Sequence, residues 1–374
     1  MSPLRIAVPI EQFWHRVPGG TARATKETIT ALAAIEGISL APIAAWHRPS
    51  ERRRAADLGP VAYVRAPRPV LYESWIRRNR PLVERSVGPI DVAWASSMVP
   101  PASRSPLVAT VHDVDFLDNP DRLSGRGRSF FPRAWEAVGE RARLIVCPSR
   151  SVVDDCRRHG IDGDRLRVVP WGVRRPICSD VDAARVTEGL GLPERFVLWV
   201  GTLEPRKNLP RLVDAMNLLG ETPLVVVGPP GWNVDGADVL GPLGERAHQV
   251  GVVDEVQLSG LYRAAAAFAY PSLAEGFGLP VLEAMAHGTP VVTSAGTATE
   301  EVAGGAAILV DPSRPEDIAA GLSAALEAGA ANAERVEMGL KRAAELSWAS
   351  TAEGYAAVFR EAVRDAARDP AGPA

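Results

Sequence analysis

Short runs of apolar and β-branched residues alternate with longer amphipathic stretches through the first half of the chain, the pattern of a parallel sheet covered by helices. It predicts strands at 6–9, 38–45, 61–65, 92–95, 108–111, 144–147 and 166–169. Helices are expected at 22–35, 130–141 and 151–159, the last closed by Gly160 at the position where a left-handed residue ends a helix. The alternation breaks at Pro170-Trp171-Gly172-Val173 and stays punctuated to Pro176, which reads as a linker. A second alternation opens on the unbroken apolar run 196–200, with further strands at 224–227, 267–270, 291–293 and 308–310. Its main helices are expected at 209–219, 281–287, 315–328 and 333–346. The fold class is therefore α/β, two Rossmann-like domains with parallel sheets facing across a cleft. Ligands of such sheets bind at the carboxyl ends of the strands, so chemistry is sought on strand-to-helix loops.

A length of 374 residues suits two cores, and 46% apolar with 23% charged residues is the composition of a folded chain. Three cysteines without paired spacing argue against a disulfide framework or a zinc site. With no leader-like N-terminus and no run of about 18 apolar residues, the chain reads as cytoplasmic. The net charge of -3 hides an asymmetry: residues 1–176 carry 28 Lys+Arg against 18 Asp+Glu, and residues 177–374 carry 14 against 27. The halves are thus expected to meet different partners. Lys26, Lys207 and Lys341 are the only lysines.

Four motifs fall on such loops. Glu275-Gly-Phe-Gly-Leu-Pro-Val-Leu-Glu283 follows the strand at 267–270. Gly276 and Gly278 allow close backbone approach, Pro280 at the first helical position starts a helix, and that terminus suits a diphosphate. Glu283, expected in the first turn, is near enough to accept from a ribose; against this stands an acid merely favoured by the helix dipole. Gly201-Thr-Leu-Glu-Pro-Arg206-Lys207-Asn208 follows the strand at 196–200, and adjacent Arg and Lys at such a turn can grip phosphate oxygens. A solvated pair is the competing reading, weakened because cations at a helix start oppose its dipole unless an anion is present. Pro18-Gly19-Gly20-Thr21 follows the first strand, and His112-Asp113 ends the strand at 108–111. Alone, the first is ordinary punctuation and the second a structural histidine.

Together these residues, with Leu261-Tyr-Arg263, Ala284-Met-Ala-His-Gly-Thr-Pro290 and Glu301-Val-Ala303, resemble the retaining glycosyltransferases of the GT-B fold. The resemblance is to family four, the group 1 glycosyl transferases, and within it to bacterial mannosyl- and rhamnosyltransferase-like members. It implies an acceptor domain over 1–173, a nucleotide-sugar donor domain over 174–349, a helix over 350–366 returning to the first domain, and a frayed tail at 367–374. It implies that Arg206 and Lys207 bind the donor diphosphate, Glu283 the ribose, and that Glu275 with the backbone of Gly276, Phe277, Gly278 and Leu279 faces the sugar and phosphates. Gly19 and Gly20 would close over the phosphates, and His112 would lie beside the sugar. It implies a metal-independent, cofactor-free hexosyltransferase of cell-envelope or polysaccharide synthesis, mannose-like in its sugar, with a GDP-sugar favoured over a UDP- or dTDP-sugar. The acceptor would be a glycan or a lipid-linked glycan, and no nucleic-acid partner is expected. Thr202 stands where many relatives have arginine, and 247–251, near the expected nucleobase pocket, is polar and short.

A dehydrogenase would need GxGxxG after a strand, and none is present. A pyridoxal-dependent phosphorylase would need a Schiff-base lysine, and Lys207 is taken by the phosphate motif. A sugar-nucleotide epimerase and a non-catalytic nucleotide-sugar binder share the donor pocket and stay as alternatives. The stretch from Arg52 to Arg85 interleaves arginines with Tyr63, Leu71, Tyr72, Trp75 and Ile76. With exposed aromatics it could dock on an anionic membrane, the inner face of the cell membrane; the alternative is a solvated basic face.

Overall fold

The computed structural model describes residues 3–15, 19–123, 125–232 and 234–369. They form two compact units: one holds the chain up to Trp171 and again from Trp348, the other Gly172–Ser347.

The first unit is built on β1 (Leu4–Pro9), β2 (Ile38–Ala44), β3 (Ala62–Tyr63), β4 (Val92–Ala95), β5 (Leu107–Thr110), β6 (Ala142–Cys147) and β7 (Leu166–Val168), in the order β3-β2-β1-β4-β5-β6-β7. Each neighbouring pair is parallel. Side chains alternate across a strand, and β1 shows the result. Ile6 and Val8 enter a core with Ile29, Leu32 and Trp94, whereas Ala7 packs with Ile43, Leu71 and Trp75 on the other face. Central strands covered on both faces read as unbroken apolar runs, which is why the pattern located them.

A helix over Trp348–Arg368 completes this unit. Its Tyr355 and Phe359 rings lie 5.1 and 5.6 Å from that of Trp94. Thr110 Oγ1 accepts from Trp94 Nε1 at 2.9 Å and bonds the Tyr355 hydroxyl at 3.0 Å. Arg167 pairs with Glu361 nearby. The helix runs past residue 366, and residues 370–374 of the tail expected to fray lie outside the described residues.

The second unit carries β8 (Val197–Val200), β9 (Leu224–Val227), β10 (Ala247–Gly251), β11 (Ala267–Tyr270), β12 (Val291–Ser294) and β13 (Ile308–Val310), ordered β10-β9-β8-β11-β12-β13. All pairs are parallel again. Trp199, Leu212, Met216, Val226, Ile318 and Leu322 fill one face. β10 escaped the sequence reading because it is an edge strand, half-exposed along its length, where His248 and Gln249 cost nothing in burial. Helices over Arg68–Arg78, Asp180–Gly189 and Glu255–Ala264 were also unpredicted, and the first helix starts at Gly19 rather than 22.

The helix over Arg68–Arg78 changes the reading of the basic stretch. Leu71 and Trp75 are fully buried, and Tyr72 stacks on Phe130 at 6.1 Å, so these residues serve the core rather than standing exposed. Among the described residues no helix is long and apolar enough to cross a membrane.

The returning helix supplies core to the first unit, so Phe359→Ala should destabilise that unit by about 3–5 kcal/mol. Urea unfolding followed by tryptophan fluorescence measures this, and a loss below about 1 kcal/mol would show that the helix is not part of the core.

Candidate functional site

In the second unit β8 lies between β9 and β11, so the order of connections reverses beside it. At such a reversal neighbouring loops diverge and leave a crevice outside the carboxyl ends of the strands. The segment after β8 is Gly201–Asn208 and the segment after β11 is Pro271–Gly278, so both sequence motifs flank one switch point.

The two segments are tied together. Asn208, in the left-handed region at φ 60°, precedes the helix Leu209–Leu218. Its Nδ2 donates to the carbonyls of Pro271 at 2.9 Å and Pro312 at 2.7 Å, while Leu273 N–H donates to Arg206 O at 2.9 Å. The carboxylate of Glu275 accepts from Lys207 Nζ at 2.6 Å and from Arg206 Nη1 at 3.1 Å. Arg206 also donates to Glu204 at 3.1 Å, and Lys207 to the Tyr270 hydroxyl at 2.7 Å. Burial alone would raise the pKa of Glu275, but the charges of Lys207 and Arg206 outweigh it and hold the group at about 2. Burial moves the Tyr270 phenol upward.

This geometry revises one argument from sequence. Arg206 and Lys207 do not require an outside anion to be satisfied, because Glu204 and Glu275 already offset them. A ligand phosphate would enter a balanced cluster of two cations and two carboxylates.

Gly278 stands at φ 97° ahead of the helix Leu279–Ala286, and a Cβ there would lie 2.6 Å from Thr299 Cγ2. Glycine alone meets both demands. Leu279, not Pro280, is the first helical residue, which puts Glu283 at the fifth position, beyond the first turn expected for it. Its Oε2 accepts from the buried Tyr262 hydroxyl at 2.8 Å. Phe277 and Leu279 are buried, so their side chains serve the core of this segment. The loops after β8 and β9 touch backbone to backbone: a Cβ on Gly228 would sit 1.9 Å from Gly201 O.

In the first unit the reversal lies between β1 and β4. Gln12, just after β1, donates from Nε2 to Ser96 Oγ at 2.9 Å, and Ser96 Oγ donates to Pro9 O at 2.7 Å. His112, after β5, bonds the Ser96 carbonyl through Nε2 at 2.9 Å. A carbonyl only accepts, so the proton is on Nε2 and Nδ1 is a lone-pair acceptor. Burial lowers the His112 pKa, which keeps the ring neutral. Among the described residues, Nδ1 and Gln12 Oε1 are both buried acceptors without a partner. Gly19, at φ 62°, and Gly20 are exposed at the start of Gly19–Leu32, whereas Pro18 lies outside the described residues. Glu204, Tyr262, Tyr270, Gln12 and Ser96 escaped the sequence reading as site residues. For Tyr262 a local signal existed, the Asp254/Gln257 capping box that opens its helix.

Residues 18–175 match the family described as Glycosyltransferase Family 4, and residues 194–328 the one described as Glycosyl transferases group 1. The chain belongs to the family 4 glycosyltransferases. Among similar members, O-antigen chain mannosyltransferase B of Escherichia coli is 40% identical over 164 residues, 41% of this chain and 42% of that protein. D-inositol 3-phosphate glycosyltransferase of Mycolicibacterium smegmatis is 32% identical over 277 residues, 70% of this chain and 63% of that protein. The match thus spans less than two thirds of either relative. Sucrose-phosphate synthase from Thermosynechococcus elongatus superposes with a TM-score of 0.74 at 21% identity, covering 96% of this chain and 98% of that one. Anabaena HepE in complex with UDP-glucose gives 0.74 at 17% identity, covering 96% and 100%. These likenesses establish the GT-B fold for this chain.

The pKa of Glu275 lies below that of a free carboxylate. Its ionised form adds stability that is complete above the ordinary carboxylate value of 4.5 and lost as pH falls toward about 2. Lys207→Met should raise the Glu275 pKa and move acid unfolding of the second unit to higher pH. An unchanged acid limb in pH-dependent urea titrations would refute the coupling.

Proposed function

We propose that this chain transfers a hexose, mannose-like, from a nucleotide-diphosphate sugar to a glycan or lipid-linked acceptor, with retention at the anomeric carbon and without a metal ion. The observation that carries the reading is the convergence of Arg206, Lys207, Glu275 and the Leu279–Ala286 helix start on one switch point. A nucleoside diphosphate offers the anion that a helix N-terminus and an Arg/Lys pair both favour.

In this mechanism Lys207 and Arg206 take the diphosphate oxygens as the glycosidic bond to phosphate breaks, and their stabilisation of the leaving group is the main catalytic contribution. Glu275 holds both cations in place and faces the transferred sugar, together with the backbone of Gly276 to Leu279. Glu283, fixed by Tyr262, receives the ribose hydroxyls. The roles of His112, Gly19 and Gly20 rest on family membership, to which His112 adds a buried acceptor nitrogen suited to a sugar hydroxyl. The leaving diphosphate accepts the acceptor proton on the face it vacates. The mannose preference rests on the likeness to the O-antigen mannosyltransferase, and a GDP donor on the mannosyltransferase-like resemblance alone. A phosphorylated acceptor has a precedent in the name of the inositol phosphate relatives. Asp113-Val-Asp115 is the nearest Asp-x-Asp to a strand end, and its Asp115 is engaged by Arg122 at 2.6 Å.

Lys207→Ala should cut kcat by roughly 100-fold to 1,000-fold, the cost of removing one preorganised charge. Glu283→Gln should chiefly raise the donor KM. Turnover should persist in excess EDTA. Near-normal kcat in the Lys207 variant, or activity lost on chelation and restored by magnesium or manganese, would overturn this assignment.

A further inference from the structure

Consecutive strands β3, β2 and β1 of the first unit end side by side, and the segments that leave them bring together a cluster of rings. Trp14, after β1, stacks on His47, after β2, with centroids 4.1 Å apart and planes 12° from parallel. Tyr63, the last residue of β3, meets both edge-on at 6.5 Å. Two hollows open where these rings meet arginines. One, of about 390 Å³, is lined by Tyr63, Arg52, Arg65 and the half-exposed Trp46. The other, of about 510 Å³, is lined by Trp14, His47, Arg54, Arg68 and Glu51.

The charges do not cancel. Arg52, Arg54, Arg65 and Arg68 face the acid Glu51 on the rim and the buried Glu11, which accepts from Ala45 N–H at 2.5 Å and bonds His47 Nε2 at 3.0 Å. Among the described residues no carboxylate pairs with Arg54, Arg65 or Arg68. Arg52 is prepositioned, its guanidinium 4.2 Å from the Tyr63 centroid and its Nε donating to His47 O at 3.1 Å. Two arginine forks per hollow suit a dianion, and the ring faces suit the C–H face of a sugar.

We propose that these hollows form a binding site for a phosphorylated sugar, the phosphate held by Arg54, Arg65 and Arg68 and the sugar packed on Trp14, Trp46 and Tyr63. The site lies at the carboxyl ends of β1 to β3, beside the β1/β4 reversal that holds Gln12 and His112: Gln12 and Trp14 share the short helix Glu11–Trp14. It deepens the transferase reading by naming the chemistry of the acceptor, and rests on that reading only for the word acceptor. Phosphate in such a site could be carried by a soluble sugar or displayed on an anionic bilayer; the burial of Leu71 and Trp75 on the Arg68–Arg78 helix favours a discrete ligand.

The test uses the full chain and calorimetry with a soluble hexose phosphate, inorganic phosphate and, separately, a nucleoside diphosphate. Arg54→Ser with Arg65→Ser should weaken hexose phosphate binding at least about ten-fold, as loss of charge-assisted bonds does. Arg78→Ser with Arg104→Ser removes equal charge elsewhere and should leave it unchanged. Nucleoside diphosphate binding should survive the first pair and be lost in Lys207→Ala, so failure of this site and failure of the donor assignment give different patterns. Flotation with phosphatidylcholine vesicles, with and without phosphatidylglycerol, is the third arm and should show no capture. Equal loss in both arginine pairs, no hexose phosphate binding, or capture by phosphatidylglycerol vesicles in place of soluble ligand would each overturn the proposal.

Discussion

Parallel strands must be joined by crossovers, and a sheet that grows first to one side of its opening strand and then to the other has to reverse there. That constraint organises both units. β1 and β8 each open their sheet from the middle, and the reversal beside each leaves the following loops splayed at the carboxyl ends. Around β8 the exposed ends are drawn together by charge. A buried carboxylate is stable only with partners, and Glu275 finds them in two residues of the facing segment.

The balance of that cluster shapes what a donor would meet. Free cations would bind any anion, and tightly. Because Glu204 and Glu275 already engage Arg206 and Lys207, an incoming diphosphate would, under the proposed function, compete with carboxylates for the same donors. Discrimination would then fall on the remaining contacts proposed for the donor, the helix terminus after Gly278 and the Tyr262-held Glu283.

Much of the fold was legible because central parallel strands are buried on both faces and leave apolar runs, as at β4, β8 and β11. Loop motifs were legible because they stand at fixed places relative to those runs. What the sequence hid was of two kinds. Edge elements such as β10 carry no apolar signature. Pairings across long separations, Lys207 with Glu275 or Tyr262 with Glu283, have no local trace, so the charge compensation of the Arg/Lys pair was invisible. The aromatics interleaved with arginines were hard to place for a related reason: between Arg68 and Arg78 they belong to a helix whose apolar face, Leu71 and Trp75, is buried.

The first unit is discontinuous in the chain, and its closing helix is encoded after the whole of the second unit. As the polypeptide emerges from the ribosome, the strands from β1 to β7 appear well before Tyr355 and Phe359, while Gly172–Ser347 emerges as one uninterrupted stretch. The surface of Ile29, Leu32 and Trp94 that this helix covers therefore waits, apolar and uncovered, through the whole translation of the second unit. Domains generally fold as they emerge. Here the order is inverted: the later-encoded unit can finish first, and the earlier one depends on a 21-residue helix encoded after it.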